Sequence, residues 1–441
     1  MRFRGLIVAV VLLAALGGLL YWSQHHKPKA TPQGPVIPAI VKVDSSAVTS
    51  LTLRPKGAPP IVLTPAGPSL WQITAPIQFR ANSQTVSEMV ATLADLLPQR
   101  TVEDKAADLS RYGLSDPSLT VDIAEKNNQS AHLILGDHTP TGDAVYAIVP
   151  GDPHVYTVSA STDNILNKSL DDLRNRHLVP VQSLDVQHLD LIRDGQDISI
   201  ARASAGWQIQ KPEAYRTDNY EVDGLVQQIV SATWNESTDT PQSAAAFAHG
   251  TPVATVKITT GSGADAHTDT LEVRKSRDSY YAKSTAVEGT WEVDSTLATA
   301  LDRTVDDFRN KQLLNFGFAE PLNIEYHSAV TNLNLVRSDK DWYSDGKKMD
   351  GSSVDSLIDA IRGLAATKFV NSGYTKPDIS LTIVTVGGRA IEKISFQKTP
   401  DGAIAKRSDS PGLYVLDSVT MNNLYTAAAG IKPAPPPSRK K

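Results

Sequence analysis

The sequence predicts an α+β fold: an N-terminal transmembrane helix, then three tandem copies of a mainly antiparallel sheet covered by amphipathic helices. Three observations lead to this prediction. A tryptophan strand recurs at nearly constant spacing, a helical apolar stripe follows each copy, and an uncharged apolar run opens the chain. Alternation of apolar and polar residues along the intervening segments is typical of antiparallel sheets with one covered face.

Length and composition indicate several globular domains. The chain has 441 residues, of which 41% are hydrophobic and 21% charged, and this is too long for one ordinary core. The net charge of −5 has interspersed signs, so we expect no nucleic-acid partner. The absence of cysteine excludes disulfides, cysteine-ligated zinc and thiol nucleophiles, but it does not report the redox compartment.

The N-terminal run predicts a single-pass inner-membrane protein. It extends without charge from Gly5 to Trp22, near the ~20 residues that a membrane-crossing helix needs. Arg2 and Arg4 precede it, which favours a cytoplasmic N-terminus and an extracytoplasmic, periplasmic bulk. A cleaved signal peptide is the alternative, although no small-residue cleavage site follows directly. Residues 23–38 contain four prolines and are predicted as an extended tether.

The three copies are marked by their tryptophan strands. Trp71 returns as Trp207 at an offset of 136 residues (207 − 71), and Trp342 follows at 135 (342 − 207). Pro76 and Pro212 end this strand in the first two copies. Recurrence at a fixed period is the signature of a repeat architecture. The predicted domains are residues 39–180, 181–315 and 316–431, followed by a disordered basic tail over residues 432–441.

An amphipathic helix is predicted after each tryptophan strand. The first extends from Ser83, a plausible N-cap, to Leu97, and the others cover residues 219–234 and 351–364. Their apolar stripes have helical spacing and contain Val86, Met89, Val90, Leu93 and Leu97; Val222, Leu225, Val226, Ile229 and Val230; Val354, Leu357, Ile358, Ile361 and Leu364.

An Asp-Asp-x-Arg-Asn motif stands between consecutive copies. It places Asp172 and Arg174 after copy one, Asp307 and Arg309 after copy two, and nothing comparable after copy three. A general-acid pair beside an arginine is one interpretation. The two carboxylates of a glycosidase, however, flank the scissile glycosidic bond from separate elements, whereas the side chains of adjacent aspartates at a helix end point in different directions. We favour a structural junction, in which the arginine is bidentate to a carboxylate across the repeat interface.

The tryptophans themselves have two interpretations. Trp71, Trp207 and Trp342 would form a carbohydrate-stacking platform if they were exposed. Equal spacing to the following helix in copies one and two favours a core role instead, because a buried tryptophan contributes a large apolar area.

Two acidic loops are weaker candidates for metal binding. Asp339, Asp341, Asp345 and Asp350 only partly follow the calcium-loop spacing, and residues 344–347 are better interpreted as a hairpin turn. The loop containing His138 has nearby carboxylates but is also typical of a polar hairpin. No nucleophile elbow, phosphate loop or dinucleotide motif is present, so we predict no catalytic, cofactor-binding or metal-binding residue and no cofactor.

The combination of Trp-x-Ile-x-x-Pro, Tyr112-Gly113-Leu114-x-x-Pro117 and Asp-Asp-x-Arg-Asn resembles the bacterial family called domain of unknown function 4340. The resemblance covers most of residues 40–320 and, more weakly, the rest of the chain. Copy two lacks the Tyr-Gly-Leu, and copy three lacks the proline and the junction motif. The resemblance implies no activity and no catalytic residue. Members of that family are often encoded beside ABC-type export systems of the gliding-motility type, so the resemblance makes an ABC permease an expected partner.

The expected function is therefore that of a membrane-anchored extracytoplasmic accessory or scaffold protein, without enzymatic activity, associated with an ABC-type envelope system. A module binding an envelope glycan or other polymer is the alternative, and it requires a solvent-exposed Trp71 or Trp207. An unrecognised envelope hydrolase is the third hypothesis. It requires a cleft where carboxylates or histidines from separate strands converge.

Overall fold

The computed structural model describes residues 39–235, 240–314, 316, 321–385 and 391–436. The chain divides into two compact units between Asn175 and Arg176. The first unit holds one sheet and the second holds two, and all hydrogen-bonded neighbours among their strands are antiparallel.

The first unit is built on a nine-stranded sheet with the order β4-β3-β2-β1-β6-β7-β8-β9-β5. Apolar residues alternate along its central strands, so one face is buried beneath the helices. The strands are β1 (Val48–Pro55), β2 (Ile61–Gly67), β3 (Leu70–Ala75), β4 (Phe79–Arg80), β5 (Arg100–Glu103), β6 (Leu119–Glu125), β7 (Ser130–His138), β8 (Ala144–Ile148) and β9 (Val155–Ser159); the helices are α1 (Ser83–Ala94), α2 (Ala160–Leu166) and α3 (Leu170–Leu173).

Helix α1 differs at both ends from its prediction. Asn82, not Ser83, is the N-cap, and its side chain accepts a hydrogen bond from the Thr85 amide. The helix ends at Ala94, so Leu97 leaves the apolar stripe and is 55% exposed, while Leu96 is buried in its place. The other four predicted stripe residues are buried, which confirms the amphipathic helix itself.

The second unit begins with a seven-stranded sheet of order β12-β11-β10-β13-β14-β15-β16. All five residues of its predicted helix stripe are buried. Its strands are β10 (Val186–Arg193), β11 (Gln196–Ala203), β12 (Gly206–Lys211), β13 (Thr251–Thr260), β14 (His267–Ser276), β15 (Ser279–Ser284) and β16 (Trp291–Val293); the helices are α4 (Asn219–Ser231), α5 (Pro241–His249), α6 (Ser295–Leu301) and α7 (Val305–Phe308).

The third sheet has nine strands in the order β20-β19-β18-β17-β22-β23-β24-β25-β21. Its helix stripe is also buried as predicted. The strands are β17 (Asn323–Ser328), β18 (Asn332–Ser338), β19 (Asp341–Ser344), β20 (Lys347–Lys348), β21 (Lys368–Val370), β22 (Ile379–Val384), β23 (Ile391–Thr399), β24 (Gly402–Arg407) and β25 (Leu413–Asp417); the helices are α8 (Gly351–Arg362) and α9 (Ser418–Ala429).

The three sheets share one plan. The first strand of each lies inside the sheet, with the tryptophan hairpin on one side and the later strands on the other. The four two- to four-residue strands at the sheet edges (β4, β5, β20 and β21), and helix α5, are not evident from the sequence pattern. The beginning of the predicted tail is also hydrogen-bonded: the Asp350 amide donates to the Lys432 carbonyl and the Ala434 amide to the Lys348 carbonyl.

One part of the fold-class prediction needs correction. It included a transmembrane helix from Gly5 to Trp22, but among the helices of the described residues none is long and apolar enough to cross a membrane. The predicted segment and the tether over residues 23–38 lie outside the described residues. The fold that the structure supports is three largely antiparallel sheets with several helices.

Candidate functional site

The three recurring tryptophans occupy equivalent strands but not equivalent surroundings. Trp207 and Trp342 are each only 5% exposed, whereas Trp71 is half-buried against the core of the first unit. In copies one and two the tryptophan backbone is tied to the start of the following helix. The Trp71 amide donates to Ser83 Oγ at 2.9 Å, and the Trp207 amide to Asn219 Oδ1 at 2.6 Å.

Trp207 is covered by a charged pair. The Arg202 guanidinium lies 3.9 Å from the centre of the indole, and the indole N–H donates to Asp223 Oδ1 at 2.8 Å. Arg202 Nη2 also donates to Asp223 Oδ1 at 3.3 Å. The second copy therefore seals its tryptophan with side chains from β11 and α4. Pro76 and Pro212, which close the tryptophan strands, both follow cis peptide bonds.

The aspartates of the junction motif cap short helices. Asp172 Oδ2 accepts from the Ser169 amide and hydroxyl at 3.0 and 2.6 Å, and Asp307 Oδ2 accepts from the Thr304 amide and hydroxyl at 2.7 and 2.9 Å. These reciprocal capping boxes satisfy the first amides of α3 and α7. The second aspartate of each motif thus occupies the third helical position and completes the capping box formed with Ser169 or Thr304.

The arginines of the motif pair within their own turn. Arg174 Nη1 lies 3.3 Å from Asp171 Oδ1, and Arg309 Nη1 lies 3.0 Å from Asp306 Oδ1. The expected bidentate contact with a carboxylate across the repeat interface is not what the structure shows for Arg309. Its contacts across the interface are aromatic rings.

Arg309 lies between the second and third sheets and is 4% exposed. Its guanidinium carbon is 4.0 Å from the centre of the Tyr215 ring and 3.7 Å from that of Phe369. Its Nη2 has no hydrogen-bond partner among the described residues, and it lies close to Gly412. A planar guanidinium stacks on aromatic faces in a way that lysine does not, so this position requires arginine.

Backbone bonds hold the segment after α7 from both sides. The Asp218 amide donates to the Phe308 carbonyl and the Asn310 amide to the Arg216 carbonyl, both at 2.8 Å. Further along, the Leu313 amide donates to the Leu364 carbonyl at 2.9 Å. The segment thus bonds first to the residues before α4 and then to those after α8, and it joins the two sheets of the second unit.

The family match falls on these elements. A family model covers residues 71–208 and 207–382, each segment beginning at a tryptophan strand and containing one junction motif. The chain belongs to this family, Domain of unknown function (DUF4340). Among curated proteins, none matches the chain.

Two solved structures from Pseudomonas aeruginosa align with this DUF4340 protein at low similarity. A DNA polymerase sliding clamp with ligand is 8% identical and covers 87% of this chain and 94% of its own. The DNA polymerase III subunit beta is 9% identical, and the alignment covers 87% of this chain and 93% of that subunit. Both TM-scores are 0.16, so neither alignment carries an argument about fold or function.

The Tyr-Gly-Leu element of the DUF4340 signature packs against the loop that contains His138. Tyr112 Oη donates to Glu103 Oε1 at 2.6 Å, and its ring lies 4.8 Å from that of Tyr146. A side chain at Gly136 would clash with the Tyr112 carbonyl. His138 Nε2 lies 3.4 Å from Asp163 Oδ2, a single carboxylate.

The acidic residues near β19 point to separate partners. Asp341 pairs with Lys348 at 2.6 Å, while Asp350 caps α8 by accepting from the Ser353 amide at 3.0 Å. Asp345 occupies the hairpin turn between β19 and β20, which confirms the turn predicted there. Across the described residues there is no group of three or more potential ligands that could hold a metal ion.

A second buried arginine at the junction is not evident from the motifs. Arg407 is 3% exposed, donates to Glu392 at 2.8 Å and to Asp409 at 2.8 and 2.6 Å, and reaches the Leu313 carbonyl. Its hydrogen bonds hold the pKa of Asp409 below the usual range. No counterpart recurs at the repeat spacing, so periodicity alone gives no signal for this residue.

Proposed function

We propose that this DUF4340 protein is an accessory or scaffold component of an ABC-type envelope transport system, with its folded region outside the cytoplasm and without chemistry of its own. The observation that carries the proposal is the role of the recurring signature residues. Asp172 and Asp307 cap helices, Trp207 and Trp342 pack in the cores, and Arg309 is buried between two sheets. The family signature thus stabilises helices and cores within each unit and, at Arg309, the contact between the two sheets of the second unit.

The choice of an ABC-type partner rests on the family resemblance and not on the geometry. Repeat arrays commonly offer extended binding surfaces, and large apolar side chains on such a surface mark candidate contact points. Among the described residues, Leu184, Tyr220 and Val330 are 82%, 84% and 90% exposed. These positions are the first to test for a partner.

Site-specific photo-crosslinking in cells tests the proposal. A photoreactive amino acid replaces Leu184, Tyr220 or Val330 in the full chain, and the exposed polar residues Gln227 and Asp355 serve as matched control positions. We expect at least one apolar position to crosslink to a permease or ATPase subunit identified by mass spectrometry, with the control positions silent. Recovery of no transporter subunit from any of the three positions would contradict the proposal.

A further inference from the structure

A cleft of about 700 Å³ opens beside Trp71 in the first unit. We call it the Trp71 cleft. It lies between the β2–β3 hairpin, helix α1 and the turn before β1, and its wall includes Ser45, Ser69, Leu70, Ser87 and Lys126. Its volume falls within the range of about 300–1,000 Å³ that is usual for small-ligand sites.

Trp71 is positioned to contact a ligand in this cleft. Of the five tryptophans in the described part of the chain, it is the only one that is not buried. Its backbone amide is bonded to Ser83. Its indole N–H, by contrast, has no hydrogen-bond partner among the described residues, so both an aromatic surface and a donor are available. Tryptophan with one apolar face and one free polar edge is suited to amphipathic ligands.

The second copy shows what closes the equivalent space. There Arg202 pairs in register with Trp207, stacks on its ring and reaches both Asp223 and the Val186 carbonyl. In the first copy the register partner of Trp71 is Pro65, beside a strand irregularity. On helix α1 of the first copy, Ser87 stands at the position equivalent to Asp223, since the two are separated by the same 136 residues as the two tryptophans (223 − 87). The charged pair that covers Trp207 therefore has no equivalent over Trp71.

The wall chemistry favours a neutral, hydroxyl-rich ligand. The hydroxyls of Ser45, Ser69 and Ser87 have no hydrogen-bond partner within the described residues, and Leu70 is 58% exposed at the rim. Lys126 is the one charged residue of the wall, and its Nζ is already 3.5 Å from the Ser46 carbonyl. Recognition of phosphate or several carboxylates would require more cationic donors than this.

We propose that the Trp71 cleft binds a neutral oligosaccharide. One sugar ring stacks its apolar face on the Trp71 indole, while its hydroxyls bond to the indole N–H and to the serine hydroxyls. This inference goes beyond the scaffold function and does not depend on it, because a glycan site in the first unit is compatible with any transporter partner or none.

Titration of the full chain with maltohexaose, cellohexaose and chitohexaose tests the site by tryptophan fluorescence and calorimetry. The other tryptophans of the described residues are buried, so binding should change the emission of Trp71 in particular. We expect saturable binding of at least one of these sugars. Trp71→Ala should weaken it at least tenfold (about 1.4 kcal/mol) because the stacking surface is lost.

A second variant separates binding from folding. Ser87 is exposed on α1, so Ser87→Arg should fill the cleft, abolish binding and leave the circular dichroism spectrum unchanged. Ser356→Arg, at an exposed position of α8, is the matched control and should bind like the wild type. The proposal is overturned if none of the three sugars binds at millimolar concentration, or if Trp71→Ala and Ser87→Arg both bind with unchanged affinity.

Discussion

Replacing Arg309 by alanine should loosen the second unit at the interface between its two sheets. The arginine is stacked between Tyr215 at 4.0 Å and Phe369 at 3.7 Å. A desolvated cation–π contact contributes about 1 kcal/mol or more, so two contribute about 2 kcal/mol. The Asp306 pair adds about 0.5 kcal/mol, discounted because the Asp306 side chain is 49% exposed.

With lost packing of the side-chain stem included, we expect a loss of about 3 kcal/mol in the free energy of local opening. That corresponds to a roughly 100-fold increase in amide exchange at the interface, since about 1.4 kcal/mol is tenfold. Hydrogen exchange of the Asn310 and Leu313 amides reports this opening, because their acceptors are the Arg216 carbonyl before α4 and the Leu364 carbonyl after α8.

Matched variants assign the effect to stacking. Arg309→Lys retains the charge without the planar group and should recover less than half of the loss, whereas Asp306→Asn should speed exchange only a few-fold. Lys348→Ala removes an ion pair in which both side chains are about half exposed and should leave these amides unchanged. Exchange in Arg309→Ala that stays within about threefold of the wild type would refute the stacking argument.

Arg202→Ala should raise acrylamide quenching of Trp207 by removing the guanidinium above its ring; unchanged quenching would contradict a covering role. The Arg407 hydrogen bonds lower the pKa of Asp409 in the folded state. The interaction of ionised Asp409 with Arg407 should therefore stabilise the fold above about pH 4, and this stabilisation should be lost as the pH falls through the lowered pKa. Urea unfolding should therefore separate wild type from Asp409→Asn more at pH 7 than at pH 2, and equal separation would argue against the linkage. Gly412→Ala should lower the melting temperature, because φ is +84° and the new methyl group would clash with Arg309; an unchanged melting temperature would show that the residues around it adapt.

The repeated architecture can be predicted because burial imposes a period on the sequence. The helix stripes, the tryptophan strands and the Ser344–Lys347 turn each follow from local rules of spacing. Short edge strands such as β5 give no such signal, since four residues with mixed polarity pair only through distant partners. Helix α5 interrupts the family pattern in the second copy, so the repeat itself conceals it.

The candidate site is less accessible to sequence analysis. The motif identifies Arg309 as a junction residue, but its ring partners come from segments that are 94 and 60 residues away (309 − 215 and 369 − 309). The Trp71 cleft is recognised only by comparison with the second copy, where Arg202 and Asp223 cover the equivalent tryptophan and the first copy has Pro65 and Ser87 instead. A comparison of aligned copies position by position would have given this signal, whereas the shared tryptophan alone indicates a common core role.

A distance measurement within the second unit tests most directly whether Arg309 of the signature holds the second and third sheets together. The chain has no native cysteine, so spin labels at Tyr220→Cys and Val330→Cys, both highly exposed, report on the second and third sheets alone. Pulsed electron resonance should give one narrow distance distribution in the wild type and a broad one in Arg309→Ala. A broad distribution in the wild type, or identical narrow distributions in both proteins, would contradict the account.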